Sequence, residues 1–270
     1  MRAPVLPEIT GHTRVFAILA DPVAHVRTPQ AINAHLARIG FDGVLVPMQV
    51  SAGDLAQVVA AMRRVKNFGG FIVTVPHKTA VAALIDDMPA SARAIGAVNC
   101  VRREEDGRLV GAMLDGVGFV DALRKHGHAP RGMSVYLAGA GGAANAIAFA
   151  LAEAGASRLS IANRTRAKSD DLASRLKTLY PRLAVDTAPA SPAAHDLVVN
   201  ATSLGLKPGD PLPLDVEALA PTQLVADIIM QPEVTPLLAA ARERGCSTQG
   251  GHPMLLAQIE AMAAHLGARA

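Results

Sequence analysis

Three observations predict an α/β fold with two α/β domains. Apolar runs rich in Val and Ile alternate with Ala/Leu segments of helical period from end to end. Strands spaced by helices of this kind form βαβ units and parallel sheets. The 270 residues are enough for two modest domains. Half of them are hydrophobic while aromatics are only 3% and Trp is absent, so the core rests on Ala, Val, Leu and Ile, which suits helices packed on parallel strands.

In chain order, Val15–Leu19, Val44–Val50 and Phe71–Val75 read as buried strands. Pro29–Ile39 and Asp54–Arg64 between them have helical spacing, with Thr28 as N-cap and Pro29 at the first helical position. Ala97–Val101 and Leu109–Met113 flank Asp106-Gly107, a hairpin signal. Gly118–Lys125 is helical and the domain boundary falls near it. The second half repeats the rhythm: strands at Ser134–Ala138, Arg158–Asn163, Leu183–Asp186, Leu197–Asn200 and Leu224–Ile228. Helices are expected at Gly142–Ala154, Ala167–Leu179, Val234–Arg244 and Pro253–Leu266, and 188–194 is a short Ala/Pro loop.

Twenty-six basic against 23 acidic residues leave a net charge of +3, too little for a nucleic-acid footprint, and two Tyr and six Phe offer few stacking surfaces for bases. Cys100 and Cys246 make neither a disulfide framework nor a zinc cluster and fit a reducing compartment. The N-terminus lacks the apolar run of a signal peptide, and no stretch reaches membrane-spanning length. A cytoplasmic protein acting away from membranes is the expectation. His25, His77, His126, His128, His195 and His252 show neither an i, i+4 helical pair nor an HExxH motif, so no metal site is expected.

The strongest motif is Val135-Tyr136-Leu137-Ala138-Gly139-Ala140-Gly141-Gly142-Ala143-Ala144, an apolar strand entering a glycine turn and then a helix. Gly139, Gly141 and Ala144 fit G-x-G-x-x-[G/A], the Rossmann-type pattern. The first glycine permits the tight turn, the second lets backbone N–H groups approach a pyrophosphate, and the small third residue lets helix and strand pack closely. The next strand ends in Asn163-Arg164-Thr165-Arg166, with Lys168 beyond. An NAD site usually has a carboxylate there for the ribose 2′-hydroxyl. Cations and a hydroxyl instead suit a 2′-phosphate, because a guanidinium grips it through charge-assisted hydrogen bonds. NADP is therefore the expected cofactor, with NAD possible.

In the first half, Lys78 follows Thr74-Val75-Pro76-His77 where a helix starts, against the macrodipole. Asp115 lies in Leu114-Asp115-Gly116-Val117-Gly118, and Asn99 in Gly96-Ala97-Val98-Asn99. Lys78 and Asp115 could form an acid/base pair, although spacing alone favours a surface salt bridge.

Taken together these motifs resemble the shikimate dehydrogenase family over nearly the whole chain, from about Phe16 to Leu266. Residues 21–29 look like its substrate-carboxylate loop, Val73–Lys78 like its lysine segment, and Ile95–Asn99 like its asparagine segment. Asp115–Gly118 looks like its aspartate segment, and Val199–Ser203 and Gly250–Gln258 like its later motifs. The resemblance implies an N-terminal substrate-binding domain (1–115 plus 252–270), a Rossmann-type nucleotide domain (116–251) and a cleft between them. It also implies hydride transfer between NADP(H) and shikimate/3-dehydroshikimate or a closely related cyclic hydroxy acid, within the shikimate pathway of aromatic amino acid biosynthesis, by a monomer or homodimer. Lys78 and Asp115 would be catalytic, and Thr28, Thr74, Asn99 and Gln258 would bind substrate. Gly139, Gly141, Gly142, Ala143, Asn163, Arg164, Thr165, Lys168, Asn200, Thr202 and Gly251 would bind cofactor.

The departures from the family pattern are specific. Val26 and Thr28 stand where the carboxylate loop has two serines, and Ile72 replaces an asparagine. Met113-Leu114 replaces Asn-Thr before the aspartate, and Met230 replaces a tyrosine. The dyad is kept while polar neighbours are lost. Quinate, aminoshikimate or another ring acid, with NAD, is the alternative reading, and a catalytically weak nucleotide-binding sensor is a further one.

Overall fold

The computed structural model describes residues 8–24, 26–187 and 191–269. His25 and Ala188-Pro189-Ala190, which the sequence reading touches, lie outside the described residues. The chain divides into two compact units, residues 1–114 with 259–270 and residues 115–258.

In the first unit, β1 (Arg14–Ala20), β2 (Gly43–Gln49), β3 (Phe68–Val73), β4 (Cys100–Arg103) and β5 (Leu109–Ala112) form a sheet of order β2-β1-β3-β4-β5. β1 runs parallel to β2 and β3, and the β4–β5 hairpin adds antiparallel strands, so this sheet is mixed. Pro47 sits in β2, at the sheet's edge, where a missing N–H costs least. Around the sheet are α1 (Thr28–Arg38), α2 (Leu55–Met62), α3 (Lys78–Ala82), which begins at the expected Lys78, and α4 (Ala90–Ile95), a short helix the sequence pattern did not show. The core between them includes Leu19, Val59, Phe71, Val81 and Val101.

β3 starts three residues earlier than the apolar run predicts and stops before Thr74. Gly69 and Gly70, outside the expected run, belong to the strand, where neighbours come too close for a side chain. A Cβ on Gly69 would lie 2.3 Å from the Phe16 ring, and one on Gly70, at φ +143°, 2.2 Å from the Val101 carbonyl. The helix α1 also begins one residue early: Arg27 is the N-cap and the Thr28 side chain makes no capping bond.

The second unit contains α5 (Asp115–Lys125), β6 (Ser134–Ala138), α6 (Gly142–Glu153), β7 (Arg158–Ala162), α7 (Arg166–Leu179), β8 (Ala184–Asp186), β9 (Leu197–Asn200), β10 (Leu224–Asp227), α8 (Pro236–Glu243), β11 (Ser247–Gln249) and α9 (Gly251–His265). Its sheet has the order β11-β10-β9-β6-β7-β8 and every pairing is parallel. The return of the chain falls within α9, between Gln258 and Ile259. Among the described residues no helix is long and apolar enough to cross a membrane.

Candidate active site

The order of the second sheet reverses direction at β6, with β7 on one side and β9 on the other. Ligands of open parallel sheets bind outside the carboxyl ends of the strands at such a switch point. A cavity of about 650 Å³ opens there, lined by 138–141, 162–165, Lys168, Thr187, 201–204 and Pro213.

Its floor is backbone. Gly139 has φ +116°, and a Cβ there would lie 2.7 Å from the Ala201 carbonyl, so the turn needs glycine. Gly141 and Gly142, at the start of α6, have nothing within 4 Å of where a Cβ would be. Open space over the first N–H groups of a long helix is what a pyrophosphate requires. Asn145, one turn into α6, donates from Nδ2 to the Ala140 carbonyl at 3.1 Å and the Gly141 carbonyl at 2.8 Å. Its Oδ1 accepts from Arg175 at 2.6 Å. These two residues brace the turn, and nothing in the motif pointed to them.

Past β7, Asn163 Nδ2 donates to the Thr165 carbonyl at 2.8 Å and shapes the bend. Arg164, Thr165 and Lys168 are exposed and face the cavity, while Arg166 pairs with Asp170 at 3.6 Å. No carboxylate is among the lining residues. The far wall carries Thr202. Asn200 and Gly251, expected beside it as cofactor contacts, are buried and lie outside the lining. A Cβ on Gly251 would stand 2.4 Å from the Ile228 carbonyl, a packing reason for that glycine.

Asp115 opens α5 and is 7% exposed. Gln258 on α9 donates its amide Nε2 to Asp115 Oδ1. Two glycines allow this. A Cβ on Gly116 would reach to 2.0 Å of the Ala146 carbonyl on α6, and one on Gly118 to 2.8 Å of the Gln258 Cβ. The sequence Asp-Gly-Val-Gly is thus a close-packing signal as well as a carboxylate.

In the first unit, Lys78 is the first residue of α3 and half-buried, and its carbonyl accepts the Val98 N–H at 2.9 Å. His77 beside it is 1% exposed and donates Nε2–H to the Val50 carbonyl at 2.8 Å, which anchors the start of α3. Thr74 follows β3, its N–H bonded to the Leu19 carbonyl and its own carbonyl accepting from His77 N–H. Asn99 is 1% exposed, and its Oδ1 accepts the Leu114 N–H at 2.8 Å, so the asparagine fixes the chain just before Asp115. Among the described residues no group of His, Cys, Asp or Glu could hold a metal ion.

Two family models match in chain order: the shikimate dehydrogenase substrate binding domain over residues 18–101, and shikimate / quinate 5-dehydrogenase over residues 122–206. A shikimate dehydrogenase (NADP(+)) of Rubrobacter xylanophilus is 44% identical over 269 residues, 97% of this chain and 94% of that protein. This chain belongs to the shikimate dehydrogenase family. Among solved structures, a shikimate 5-dehydrogenase of Thermus thermophilus in complex with NADP(H) and shikimate matches with TM-score 0.80 and 35% identity, covering 94% of each chain. The ligand-free 5-ketofructose reductase of a Gluconobacter species matches with TM-score 0.86 and 34% identity, covering 93% of this chain and 91% of that one.

Against the family pattern, the structure gives physical reasons for some departures. Ile72 is 2% exposed and in register with Ile18 and Cys100, so its apolar side chain belongs to the interior of the first sheet. Met113 and Leu114 are each 9% exposed. Met230, in the loop after β10, is 47% exposed and no packing demand accounts for it.

Proposed function

We propose that this member of the shikimate dehydrogenase family transfers a hydride between NADP(H) and the ring carbon bearing the hydroxyl of shikimate, or the keto group of 3-dehydroshikimate. The observation that carries this reading is the cavity at the switch point: an open glycine cradle at the start of α6, flanked by Arg164, Thr165 and Lys168 with no carboxylate among its lining residues. Those residues fit a phosphorylated dinucleotide. Gly139, Gly141, Gly142 and Ala143 would hold the pyrophosphate, Arg164, Thr165 and Lys168 the 2′-phosphate, and Asn163 the bend that carries them. Thr202 would shape the far wall, with Asn200 and Gly251 acting from behind it. When bound, the nicotinamide ring accepts or gives the hydride.

The residues of the chain manage binding and the proton. Lys78 holds and moves the proton of the reacting hydroxyl, and Asp115 shares that work as a general acid/base. Gln258, held to Asp115, and Thr28, Thr74 and Asn99 bind or position the substrate. Residues 1–115 with 252–270 are assigned to the substrate and 116–251 to the nucleotide. The reading places the protein in the cytoplasm, as a monomer or homodimer, in the route to aromatic amino acids, away from nucleic acid.

The test is a turnover panel following reduced-nicotinamide absorbance with shikimate and quinate, each with NADP and with NAD. NADP-dependent oxidation of shikimate supports the reading, and cofactor binding without turnover of any ring acid refutes it. A second reading is favoured by one observation, the likeness to 5-ketofructose reductase. Val26, which has no side-chain donor for a carboxylate, is compatible with an uncharged polyhydroxy ketone, so 5-ketofructose with NADPH belongs in the panel.

A further inference from the structure

The ends of β9 and β10 carry two polar side chains that are closed to solvent, Asn200 at 0% and Asp227 at 1% exposure. They are register partners on adjacent strands. Asp227 Oδ2 accepts from Asn200 Nδ2 at 3.0 Å and from Thr235 Oγ1 at 2.8 Å, and its Oδ1 accepts the Ile229 N–H at 3.0 Å. Burial raises the Asp227 pKa above the ordinary carboxylate value, and the three donors oppose that rise without cancelling it.

A carboxylate whose two oxygens both face donors decides how the Asn200 amide is turned. The nitrogen must face the carboxylate, so the oxygen points the other way. There Asn200 Oδ1 accepts both protons that Thr202 offers, from N at 3.0 Å and from Oγ1 at 2.7 Å. With its own proton committed, the Thr202 hydroxyl accepts the Leu204 N–H at 3.0 Å. Asn200 Nδ2 also donates to the Leu204 carbonyl at 3.0 Å. Ala201 to Leu204 are one wall of the cavity. The same carboxylate holds the loop from β10 to α8 at both ends, through Ile229 and through Thr235, the N-cap of α8.

We propose that Asp227 is a positioning residue for the dinucleotide: its charge orients the Asn200 amide, which in turn fixes the Thr202–Leu204 wall. The proposal rests on the reading of this cavity as the NADP(H) site. It predicts that the wall needs the charge and the direction of the hydrogen bonds, and that shape alone is insufficient. An asparagine at 227 has nearly the same shape but one acceptor oxygen for three donors, and its own N–H groups would face a donor.

The experiment measures NADPH affinity directly by fluorescence titration, alongside steady-state kinetics and thermal midpoints. Asp227→Asn is expected to weaken NADPH binding by about tenfold or more, the loss typical of a charged hydrogen bond. Its effect on kcat at saturating cofactor should be much smaller than its effect on affinity. Thr202→Ser keeps the hydroxyl and is expected to keep wild-type affinity, whereas Thr202→Val is expected to lose several-fold. A lowered thermal midpoint with unchanged NADPH affinity in Asp227→Asn overturns the proposal, because that is a purely structural role. If Asp227→Asn does not fold, the Thr202 pair decides, and equal affinities for Thr202→Val and Thr202→Ser overturn it. Failure of the wild type to bind NADPH at all would instead remove the reading of the cavity.

Discussion

The two units offer candidate binding groups of different kinds. In the second unit the floor of the cavity is main chain: a glycine at positive φ, an open helix start, and a bend tied by the Asn163 amide to the Thr165 carbonyl. Side chains there act mostly from behind, as Asn145, Asn200 and Asp227 do. In the first unit the candidate residues Thr28, Thr74 and Lys78 stand at element ends and would act through side chains. A backbone cradle is fixed by fold and glycines, so it persists while sequence drifts. A pocket built from side chains changes with each substitution. Val26 stands in the first unit and is a change of that second kind.

The largest expected effect breaks the chemistry on the side-chain side of this contrast. Lys78→Ala should lower kcat by about 10²–10⁴ while leaving NADPH affinity nearly intact. Asp115→Asn should behave similarly, and the double variant should lose much less than the product, because the pair acts as a unit. Wild-type kcat in Lys78→Ala would show that the proton is handled elsewhere. Next, Arg164→Ala tests the rim of the cradle. The KM for NADP should rise by about tenfold or more while that for NAD changes far less, since only NADP presents a phosphate to the guanidinium. Equal losses for both cofactors would take the 2′-phosphate away from Arg164.

Third, Val26→Ser should lower the KM for shikimate, by roughly tenfold if the new hydroxyl reaches the carboxylate. A rise in KM would mean that other groups hold the carboxylate. The smallest effect concerns stability. His195 is buried, edge-on to Tyr136 and hydrogen-bonded to Ser160 Oγ at 2.8 Å, and burial holds its pKa below the ordinary value of 6.5. The unfolded chain therefore binds the proton more readily than the folded one. The contribution of His195 to stability is present above the unfolded pKa, about 6.5, and is lost as pH falls below it. The urea midpoint of wild type should fall on acidification from pH about 8 to about 5.5, and more steeply than that of His195→Gln. His265, whose pKa burial also lowers, leaves a residual slope in the variant.

The parallel sheet of the second unit was legible from periodicity, and its glycine turn from position between strand and helix. Both are local signals. The bend at Asn163–Lys168 was legible through the missing carboxylate. What could not be read was set by distant neighbours. The start of β3 at Gly69 and Gly70 depends on Phe16 and Val101 packing over them, and β11 is three residues long, too short to show a period. Helix α4 is six residues long, too short to show a helical period. Asn200 reads as a ligand contact in a motif, yet its amide is spent on Asp227, Thr202 and Leu204, partners visible only once strands β9 and β10 are paired.

The contrast between cradle and side-chain pocket is tested most directly by one comparison on the wild-type enzyme. Initial rates with NADP as cofactor should be measured across shikimate and quinate, with 5-ketofructose in the reductive direction, beside the NADPH dissociation constant. A sound cradle beside an altered pocket predicts firm NADPH binding together with real but weak oxidation of shikimate, its KM high. Weak NADPH binding together with low-micromolar shikimate would reverse the assignment of which region is intact and contradict the account.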